Sequence, residues 1–378
     1  MSARSNNRKT SFLPGILLLA LLALLALVFA FLACSDQSAA RNCPVPPDLQ
    51  ASLSDTEAPD NNTAATAINI ALVGDVNFTD GWAVGVADAN GGQVAAAFEP
   101  DLLEALTSAD VFYANHEFTM SSRGEELNKY YTFRADPARV AYWQQLGVDL
   151  VGLGNNHAYD YGEEAFLDML DILENKGIPY VGAGRNLAEA MAPVYFDFNG
   201  YKVAFVAADR SQKGDEVRAA AAGENTPGVL FCFDDTLFVQ AVATATQNAD
   251  FVIAIPHWGT ENTTDLEQEQ IDLAHKLIDA GADAVVGSHP HILQGMEYYR
   301  GKLIAYSLGN FWFNGATTPT LVLSLEIKEG LAAYRIIPAL QTEQQVITSG
   351  EISAEVIQTM RQLSPGLIIA DDGGVSIS

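Results

Sequence analysis

Seven short apolar segments recur along the chain, and most of them end abruptly in a polar turn that contains glycine or proline. Their apolar residues are continuous rather than alternating, which is typical of strands that are buried on both faces. The segments are residues 68–73, 111–114, 148–153, 203–207, 251–255, 284–286 and 303–306. Amphipathic patterns between them predict helices at 100–108, 137–146, 163–176 and 266–280. This alternation predicts an α/β fold in which helices cover a sheet system.

The segments after residue 320 follow a different pattern. Residues 321–327 and 332–337 predict two strands with no helix between them, joined as a hairpin near Glu329 and Gly330. A second sheet or an antiparallel edge is therefore expected there. Residues 349–361 predict a last helix. Glycines at 147, 177 and 281 each follow a predicted helix at the place where a left-handed cap is expected.

The N-terminus carries a membrane-targeting pattern. Arg4, Arg8 and Lys9 precede an unbroken apolar stretch at residues 16–33, which as a helix spans about 27 Å, close to the bilayer core. Basic residues before the stretch favour a cytoplasmic N-terminus and an extracytoplasmic remainder. Two modes of attachment stay open, an uncleaved signal anchor and a lipoprotein signal that ends at Cys34. We therefore predict a protein at the outer face of the cell membrane.

Composition divides the rest of the chain. Residues 35–67 are rich in Ser, Ala, Pro, Asp and Asn and show no hydrophobic periodicity, which is typical of a flexible linker. The predicted organisation is a signal or anchor at 1–34, this linker at 35–67, a folded domain at 68–340 and a C-terminal extension at 341–378.

Net charge and cysteine content exclude several classes of protein. The formal net charge is -27, from 20 basic and 47 acidic residues, whereas a nucleic-acid binder needs a basic face. The acidic excess also disfavours an anionic substrate unless metal ions or local arginines neutralise it. Three cysteines are too few for a disulfide scaffold or a thiolate zinc site. Any metal must therefore be held by His, Asn and carboxylates.

Polar side chains follow five of the apolar segments. Ligands bind beyond the carboxyl ends of strands in an α/β sheet, so these side chains are expected to converge. Five of the six histidines in the chain lie in these turns. The candidate metal ligands are Asp75, Glu117, Asn156, His257, His289 and His291. Mixed oxygen and imidazole ligands suit manganese, iron or zinc, and two such ions about 3.5–4 Å apart can activate water for hydrolysis.

His157 directly follows Asn156, and both side chains cannot easily face the same ion. One of them is free for acid chemistry, and an imidazole can protonate a leaving group. Asp160 can orient that imidazole, or it can cap the helix at Glu163. His116 is expected to point away from the site because side chains alternate along a strand. His275 is expected to lie on a helix face.

The order of these motifs resembles the CapA-type poly-gamma-glutamate capsule biosynthesis proteins, which are similar to calcineurin-like metallophosphoesterases. The matching motifs are Gly74-Asp75, Asn115-x-Glu117, Phe133-Arg134 followed by Pro137, Asn155-Asn156-His157-x-x-Asp160-x-Gly162, His257-Trp258-Gly259-x-Glu261, Gly287-Ser288-His289-Pro290-His291 and Ser307-Leu308-Gly309-Asn310-Phe311. The resemblance covers residues 68–338. It implies a four-layer αββα sandwich, two β-sheets flanked by helices, with a dinuclear metal site at one end.

The resemblance also implies roles for single residues. Asp75 matches the first metal carboxylate, Glu117 the bridging carboxylate, and Asn156 and His157 the ligand and the acid, respectively. The later ligands are His257, His289 and His291, and Asp160 accompanies His157. Substrate binding is expected at Asn155, Arg134, Glu261 and Asn310. Asn77 stands where phosphoesterases usually carry a histidine, so one divalent ion instead of two stays an open alternative.

Three functions remain open on these residues. The first is a membrane-attached, metal-dependent hydrolase in the biosynthesis, export or anchoring of poly-gamma-glutamate or another anionic cell-surface polymer. The second is a general metallophosphoesterase that acts on another phosphate ester. The third is a non-catalytic, polymer-binding subunit of a synthase complex. The presence of both His157 and Asp160 favours an enzyme.

Overall fold

Two β-sheets form the centre of the fold in the computed structural model, which describes residues 67–211 and 221–378. The predicted anchor or signal at 1–34 and all but the last residue of the predicted linker lie outside the described residues. Within the two described ranges, no helix is long and apolar enough to cross a membrane.

The described ranges contain strands and helices in alternation along most of the chain. The strands are β1 (Ile68–Val76), β2 (Val111–His116), β3 (Thr119–Met120), β4 (Arg134–Ala135), β5 (Leu150–Gly152), β6 (Tyr180–Val181), β7 (Ala183–Gly184), β8 (Val194–Phe198), β9 (Tyr201–Asp209), β10 (Gly228–Val229), β11 (Phe251–His257), β12 (Ala284–Val286), β13 (Met296–Tyr299), β14 (Lys302–Ala305), β15 (Asn310–Trp312), β16 (Thr318–Lys328), β17 (Leu331–Gln341), β18 (Val346–Ile347), β19 (Leu367–Ile369) and β20 (Gly374–Ile377). The α-helices are α1 (Gly85–Ala89), α2 (Pro100–Thr107), α3 (Val140–Leu146), α4 (Gly162–Asn175), α5 (Leu187–Ala190), α6 (Thr236–Ala245), α7 (Gln268–Asp279) and α8 (Gly350–Leu363). Short 3-10 helices lie at Val94–Ala97 and Pro137–Arg139.

Each sheet has a parallel centre. The first sheet has the order β19-β20-β17-β16-β1-β2-β5-β6, with β15 beside β1 and β18 beside β17. Its strands β1, β2, β5 and β6 are parallel, whereas β16 and β17 add an antiparallel hairpin. The second sheet has the order β13-β14-β12-β11-β9-β8, and β9, β11, β12 and β14 are parallel in it. The carboxyl ends of the parallel strands therefore lie together in each sheet.

Alternate residues of one strand enter different cores, and this fixes the order of the layers. Ile70 and Leu72 of β1 share a core with residues of the second sheet, such as Phe205. Ala71 and Val73 pack instead with helices α2, α3 and α4. Helices α6 and α7 cover the other face of the second sheet. The two sheets thus pack against each other with helices outside, and the predicted α/β class is confirmed.

Most predicted elements occur close to their expected bounds. Helices α2, α4 and α7 begin and end within two residues of the prediction, while the helix expected at 137–146 is a 3-10 turn followed by α3. Gly147 caps α3 with a φ of 71°, as expected. Glu329 and Gly330 have φ angles of 53° and 77° and join β16 to β17, which confirms the hairpin.

Residues beyond 340 add to the same fold. Helix α8 begins after Ser349, whose side chain accepts a hydrogen bond from the Ile352 N–H, and it confirms the predicted last helix. Val356 and Met360 of α8 lie in the core between the sheets. Strand β20 pairs with β17 in the first sheet.

Candidate metal centre

The end of β1 is bent so that Asp75 faces the centre. The pairing register with β2 shifts between Val73 and Asp75, and such a bulge re-aims a side chain. Gly74 permits this path because a Cβ atom there would lie 2.0 Å from the Gly309 carbonyl oxygen. The Asp75 N–H donates to that oxygen at 3.0 Å. Asp75 itself is fully buried.

Glu117 lies at the middle of the cluster. Its Oε1 is buried without a hydrogen-bond partner, yet it lies 3.9, 3.8 and 3.7 Å from the Nε2 atoms of His157, His257 and His291. Burial, and then the nearby Asp75, raise the pKa of Glu117 well above its usual value. An unpartnered carboxylate oxygen among three imidazoles costs free energy, and a bound cation would compensate that cost.

Histidines at the strand ends of the second sheet face Glu117 from the other side of the cluster. The Nε2 atom of His257 lies 2.8 Å from Asn156 Oδ1 and 3.1 Å from His289 Nδ1, while its Nδ1 atom lies 2.9 Å from Ser288 Oγ. Burial, and then the charges of His289 and His291, lower the pKa of His257 well below its usual value. The imidazole is therefore neutral, which is the state that binds metal.

The ligand atoms form overlapping groups. Three triplets have all of their ligand atoms within 4.8 Å of one another: Glu117, His257 and His289; Asp75, Glu117 and His291; and Glu261, His289 and His291. Glu117 belongs to the first two, which is the arrangement that a bridging carboxylate requires. All six residues predicted as metal ligands are brought together, with Asn156 beside the first triplet.

Two buried asparagines next to the ligands make different hydrogen bonds, Asn115 to both carboxylates and Asn77 to a backbone turn. The Asn115 Nδ2 atom donates to Asp75 Oδ1 at 2.8 Å and to Glu117 Oε2 at 3.2 Å, so it fixes both carboxylates. The Asn77 side-chain oxygen accepts a hydrogen bond from the Thr79 N–H at 2.8 Å. The oxygen of Asn77 thus shapes the turn after β1, while its Nδ2 atom is buried without a hydrogen-bond partner.

His157 and Asp160 form a dyad beside the ligands. The His157 Nδ1 atom lies 2.7 Å from Asp160 Oδ2, and this oxygen also accepts from the Phe133 N–H at 2.8 Å. Burial lowers the pKa of His157, and Asp160 opposes that shift in part. The N-cap residue of α4 is Tyr161, whose side chain makes no capping hydrogen bond. The carboxylate of Asp160 therefore orients His157 and does not cap the helix.

The four residues predicted to bind substrate lie in different surroundings. Asn155 is fully buried, and its Nδ2 atom donates to the His116 carbonyl at 2.9 Å. The Asn310 Oδ1 atom lies 2.9 Å from His291 Nδ1, so it contacts a ligand. Arg134 donates to the Arg123 carbonyl at 2.6 Å and stacks on a tyrosine. Glu261 is exposed and faces His289 and His291.

The two remaining histidines lie outside the cluster. The His116 ring stacks on Phe118 at 3.8 Å, and its Nδ1 atom accepts from Trp143 Nε1 at 3.0 Å. Burial lowers the pKa of His116 to about 3. His275 lies on α7, where its Nε2 atom is 2.7 Å from Glu297 Oε1.

Lys129 is a site residue that the sequence analysis missed. Its Nζ atom donates to the Asn156 carbonyl and to Asp160 Oδ1, each at 2.5 Å, and its side chain is only 9% exposed. Lys129 thus holds the backbone of the predicted ligand Asn156 next to the Asp160 carboxylate that orients His157. Lys129 lies in a polar loop without periodicity, so no sequence pattern marked it.

Replacement of Lys129 by methionine is expected to lower the free energy of unfolding by about 3 kcal/mol, because the buried Asp160 carboxylate loses its cation. Urea unfolding of the full chain measures the change. Lys176→Met, at an exposed lysine, is the matched control and should stay within about 0.5 kcal/mol of wild type. Equal values for the two variants would show that the buried ion pair has no net effect.

Asp209 was also missed, although it ends strand β9 in register with His257. Its Oδ1 accepts from the backbone N–H and the hydroxyl of Ser211 at 2.9 and 2.6 Å, while its Oδ2 is buried without a partner. Burial raises the pKa of Asp209 to about 6. The sequence signal was present, since an acid follows the apolar run at 203–207, but it lies two residues beyond it.

We expect Asp209→Asn to flatten the pH dependence of stability. The pKa of Asp209 in the folded chain is about 6, above the usual 3.8, so the wild type loses stability as the pH rises from about 4 through 6. Between pH 5 and pH 8 the free energy of unfolding should fall by about 1 kcal/mol in the wild type. The variant, which has no carboxyl group at this position, should not show this fall. Urea titrations at both pH values with a chelator present measure it. Asp101→Asn, an exposed acid, should keep the wild-type slope, and an unchanged slope in Asp209→Asn would refute the assignment.

The comparison with known families agrees with this geometry. The family described as bacterial capsule synthesis protein PGA_cap matches residues 69–315. The chain belongs to this family. The resemblance to CapA-type proteins is thereby confirmed.

Three relatives show how far the similarity of this PGA_cap member extends. The chain is 34% identical over 226 residues to "PGA biosynthesis protein CapA" of Bacillus subtilis, which covers 58% of each chain. It is 36% identical over 180 residues to "Capsule biosynthesis protein CapA" of Bacillus anthracis, covering 47% of this chain and 43% of the relative. It is 30% identical over 212 residues to a Mycobacterium tuberculosis protein named "Probable polyglutamine synthesis accessory protein". This match covers 54% of this chain and 56% of the relative. The chain thus matches about half the length of these relatives.

Proposed function

We propose that this chain is a membrane-attached, extracytoplasmic, metal-dependent hydrolase that acts in poly-gamma-glutamate capsule biosynthesis. The observation that carries the proposal is the buried, unpartnered Oε1 of Glu117, which lies within 3.9 Å of three imidazole nitrogens. Two ligand triplets share this carboxylate. Membership of the PGA_cap family and the names of the relatives support the capsule polymer as the biological context.

The fold supports the hydrolytic part of the proposal. Two sheets packed face to face with helices outside are the layers expected of a metallophosphatase-like αββα sandwich. The cluster lies at the carboxyl ends of parallel strands from both sheets, where such a fold binds its ligands. We extend the proposal to two divalent ions of manganese, iron or zinc, because each triplet that contains Glu117 combines carboxylate oxygen with imidazole nitrogen.

Each residue then has a defined task. Glu117, with Asn156, His257 and His289, would hold one ion, and Asp75, Glu117 and His291 would hold the other. Bound ions supply Lewis acidity and lower the pKa of water. Asn115 keeps Asp75 and Glu117 in place through its two donated hydrogen bonds. His157, whose Nδ1 atom is held by Asp160, would donate a proton from Nε2 to the leaving group, and the Asp160 carboxylate stabilises the imidazolium form that this step requires.

The proposed partners follow from the relatives and from charge. An anionic polymer approaches a chain of net charge -27 only where cations neutralise the acidic groups, and the metal centre provides that place. The relative that is named as an accessory protein of polyglutamine synthesis supports association with a synthase complex. The apolar stretch at residues 16–33 supports attachment at the outer face of the membrane.

A substrate screen of the full chain tests this function. Metal-loaded protein is incubated with poly-gamma-glutamate, with gamma-glutamyl amides and with phosphate esters, and products are followed by chromatography. We expect turnover of the gamma-glutamyl substrates that a chelator abolishes. Turnover of phosphate esters alone would favour a general phosphoesterase. Binding of the polymer without turnover of any substrate would favour a non-catalytic subunit of a synthase.

A further inference from the structure

Glu261 lies at the solvent side of the metal centre. It is exposed, yet its carboxylate and the ring nitrogens of His289 and His291 lie within 4.8 Å of one another. One carboxylate and two imidazoles are a common ligand set for divalent transition metals. This triplet contains neither Glu117 nor His257, and its carboxylate is exposed whereas that of Glu117 is buried.

The backbone holds this third triplet in shape. The Asn262 N–H donates to the Pro290 carbonyl at 2.9 Å, which ties the loop of Glu261 to the segment between the two histidines. His289 and His291 have φ angles of 98° and 61°, a region that non-glycine residues rarely adopt. Such conformations persist where the surroundings enforce them, and they cluster at ligand sites. The two imidazoles are therefore presented to Glu261 by a fixed segment.

Glu261 also shares its two histidines with the buried ligands. His289 belongs to the triplet that contains Glu117 and His257, and His291 belongs to the triplet that contains Asp75 and Glu117. The two histidines therefore connect the exposed carboxylate of Glu261 to the buried carboxylate of Glu117.

We propose that Glu261, His289 and His291 form an outer position that captures a divalent cation from solvent and passes it to the buried ligands. His289 and His291 belong both to this triplet and to the inner ones. An imidazole that ligates an inner ion is not free to hold a second ion outside, so the outer position empties as the inner ones fill. Glu261 is then a ligand during loading and not a ligand of the resident ion. This inference rests on the metal centre of the proposed function.

Metal loading kinetics test the proposal. Metal-free full chain is mixed with Co²⁺ in a stopped-flow instrument, and the visible absorbance of the bound ion is followed. Wild type should show a fast phase whose rate rises with Co²⁺ concentration and then a slower, concentration-independent phase. Residues that only orient a ligand already change metal affinity about 10–100-fold. Glu261→Gln should therefore slow the fast phase by at least about tenfold, while elemental analysis after equilibration finds wild-type metal content.

Two further variants separate ligation from charge. Glu261→His keeps a ligand and should keep the fast phase. Asp265→Asn removes a nearby exposed carboxylate and should load like wild type. Loading of Glu261→Gln at the wild-type rate, or equal slowing by Asp265→Asn, would overturn the capture position. Loss of equilibrium metal in Glu261→Gln would also overturn it, because Glu261 would then bind the resident ion. Wild type that binds no Co²⁺ would instead refute the metal centre itself.

Discussion

His257→Ala is expected to lose both bound metal and metal-dependent turnover. The Nε2 atom of His257 lies 2.8 Å from Asn156 Oδ1, 3.1 Å from His289 Nδ1 and 3.8 Å from Glu117 Oε1, so its removal takes a ligand from the triplet with Glu117 and His289. An ion present at 100 times its dissociation constant stabilises the folded state by about 2.7 kcal/mol. Thermal unfolding with and without Mn²⁺ should show this stabilisation in wild type and not in the variant.

His275→Ala is the matched control for this experiment. His275 lies on α7, where it pairs with Glu297 of β13. It belongs to none of the ligand triplets, so its replacement should leave the response to Mn²⁺ unchanged. If His257→Ala responds to Mn²⁺ as wild type does, the assignment of His257 as a ligand is wrong. If neither wild type nor either variant responds, the ion does not bind the folded chain.

His157→Ala is expected to lower turnover by about 10²–10⁴-fold, the usual contribution of general acid catalysis, while metal content stays close to wild type. The reason is geometric. The Nδ1 atom of His157 is held by the Asp160 carboxylate at 2.7 Å, so the imidazole is positioned by a carboxylate that belongs to no ligand triplet. His157 itself also belongs to none of the three ligand triplets found in the described residues.

The contrast with His257→Ala distinguishes an acid from a ligand. Steady-state kinetics and elemental analysis are run on the same preparations of both variants. Asp160→Asn should fall between wild type and His157→Ala in turnover, because it weakens the orientation of the imidazole but leaves it in place. Loss of metal in His157→Ala as complete as in His257→Ala would move His157 to the ligands. Unchanged turnover would weaken the enzymatic function itself.

The site could be predicted largely because its residues lie at strand ends. Asp75, Glu117 and His257 each follow a short, mostly apolar run, and parallel strands bring such ends together. The sequence alone could not reveal how the two sheets face each other. That arrangement brings His257 of the second sheet within 3.8 Å of Glu117 of the first, across 140 positions of sequence.

Residues whose roles depend on tertiary contacts could not be predicted from sequence patterns. Lys129 lies in a loop with no periodicity, and only the folded chain brings it to Asp160. Helix α6 was missed because it is rich in β-branched and apolar residues throughout, although Phe238, Ala241 and Val242 form one buried face. Packing against the second sheet, more than intrinsic propensity, stabilises such a helix.

The predicted roles of Asn155, Asn310 and Glu261 show the limit of motif matching. A motif marks a position as part of a site, but it does not tell which atoms the side chain contacts. Asn155 and Asn310 lie against protein groups in the fold, whereas Glu261 is exposed beside two histidines. Substrate binding by these residues stays a prediction.

The metal content of the purified full chain tests the central claim most directly. Protein is equilibrated with Mn²⁺, Fe²⁺ or Zn²⁺, passed through gel filtration and analysed for bound metal per chain. The proposed centre predicts retained metal in wild type and a clear loss in Asp75→Asn and in His289→Ala, which remove a ligand from different triplets. Wild type that retains no metal, or variants that retain as much as wild type, would contradict the proposed metal centre.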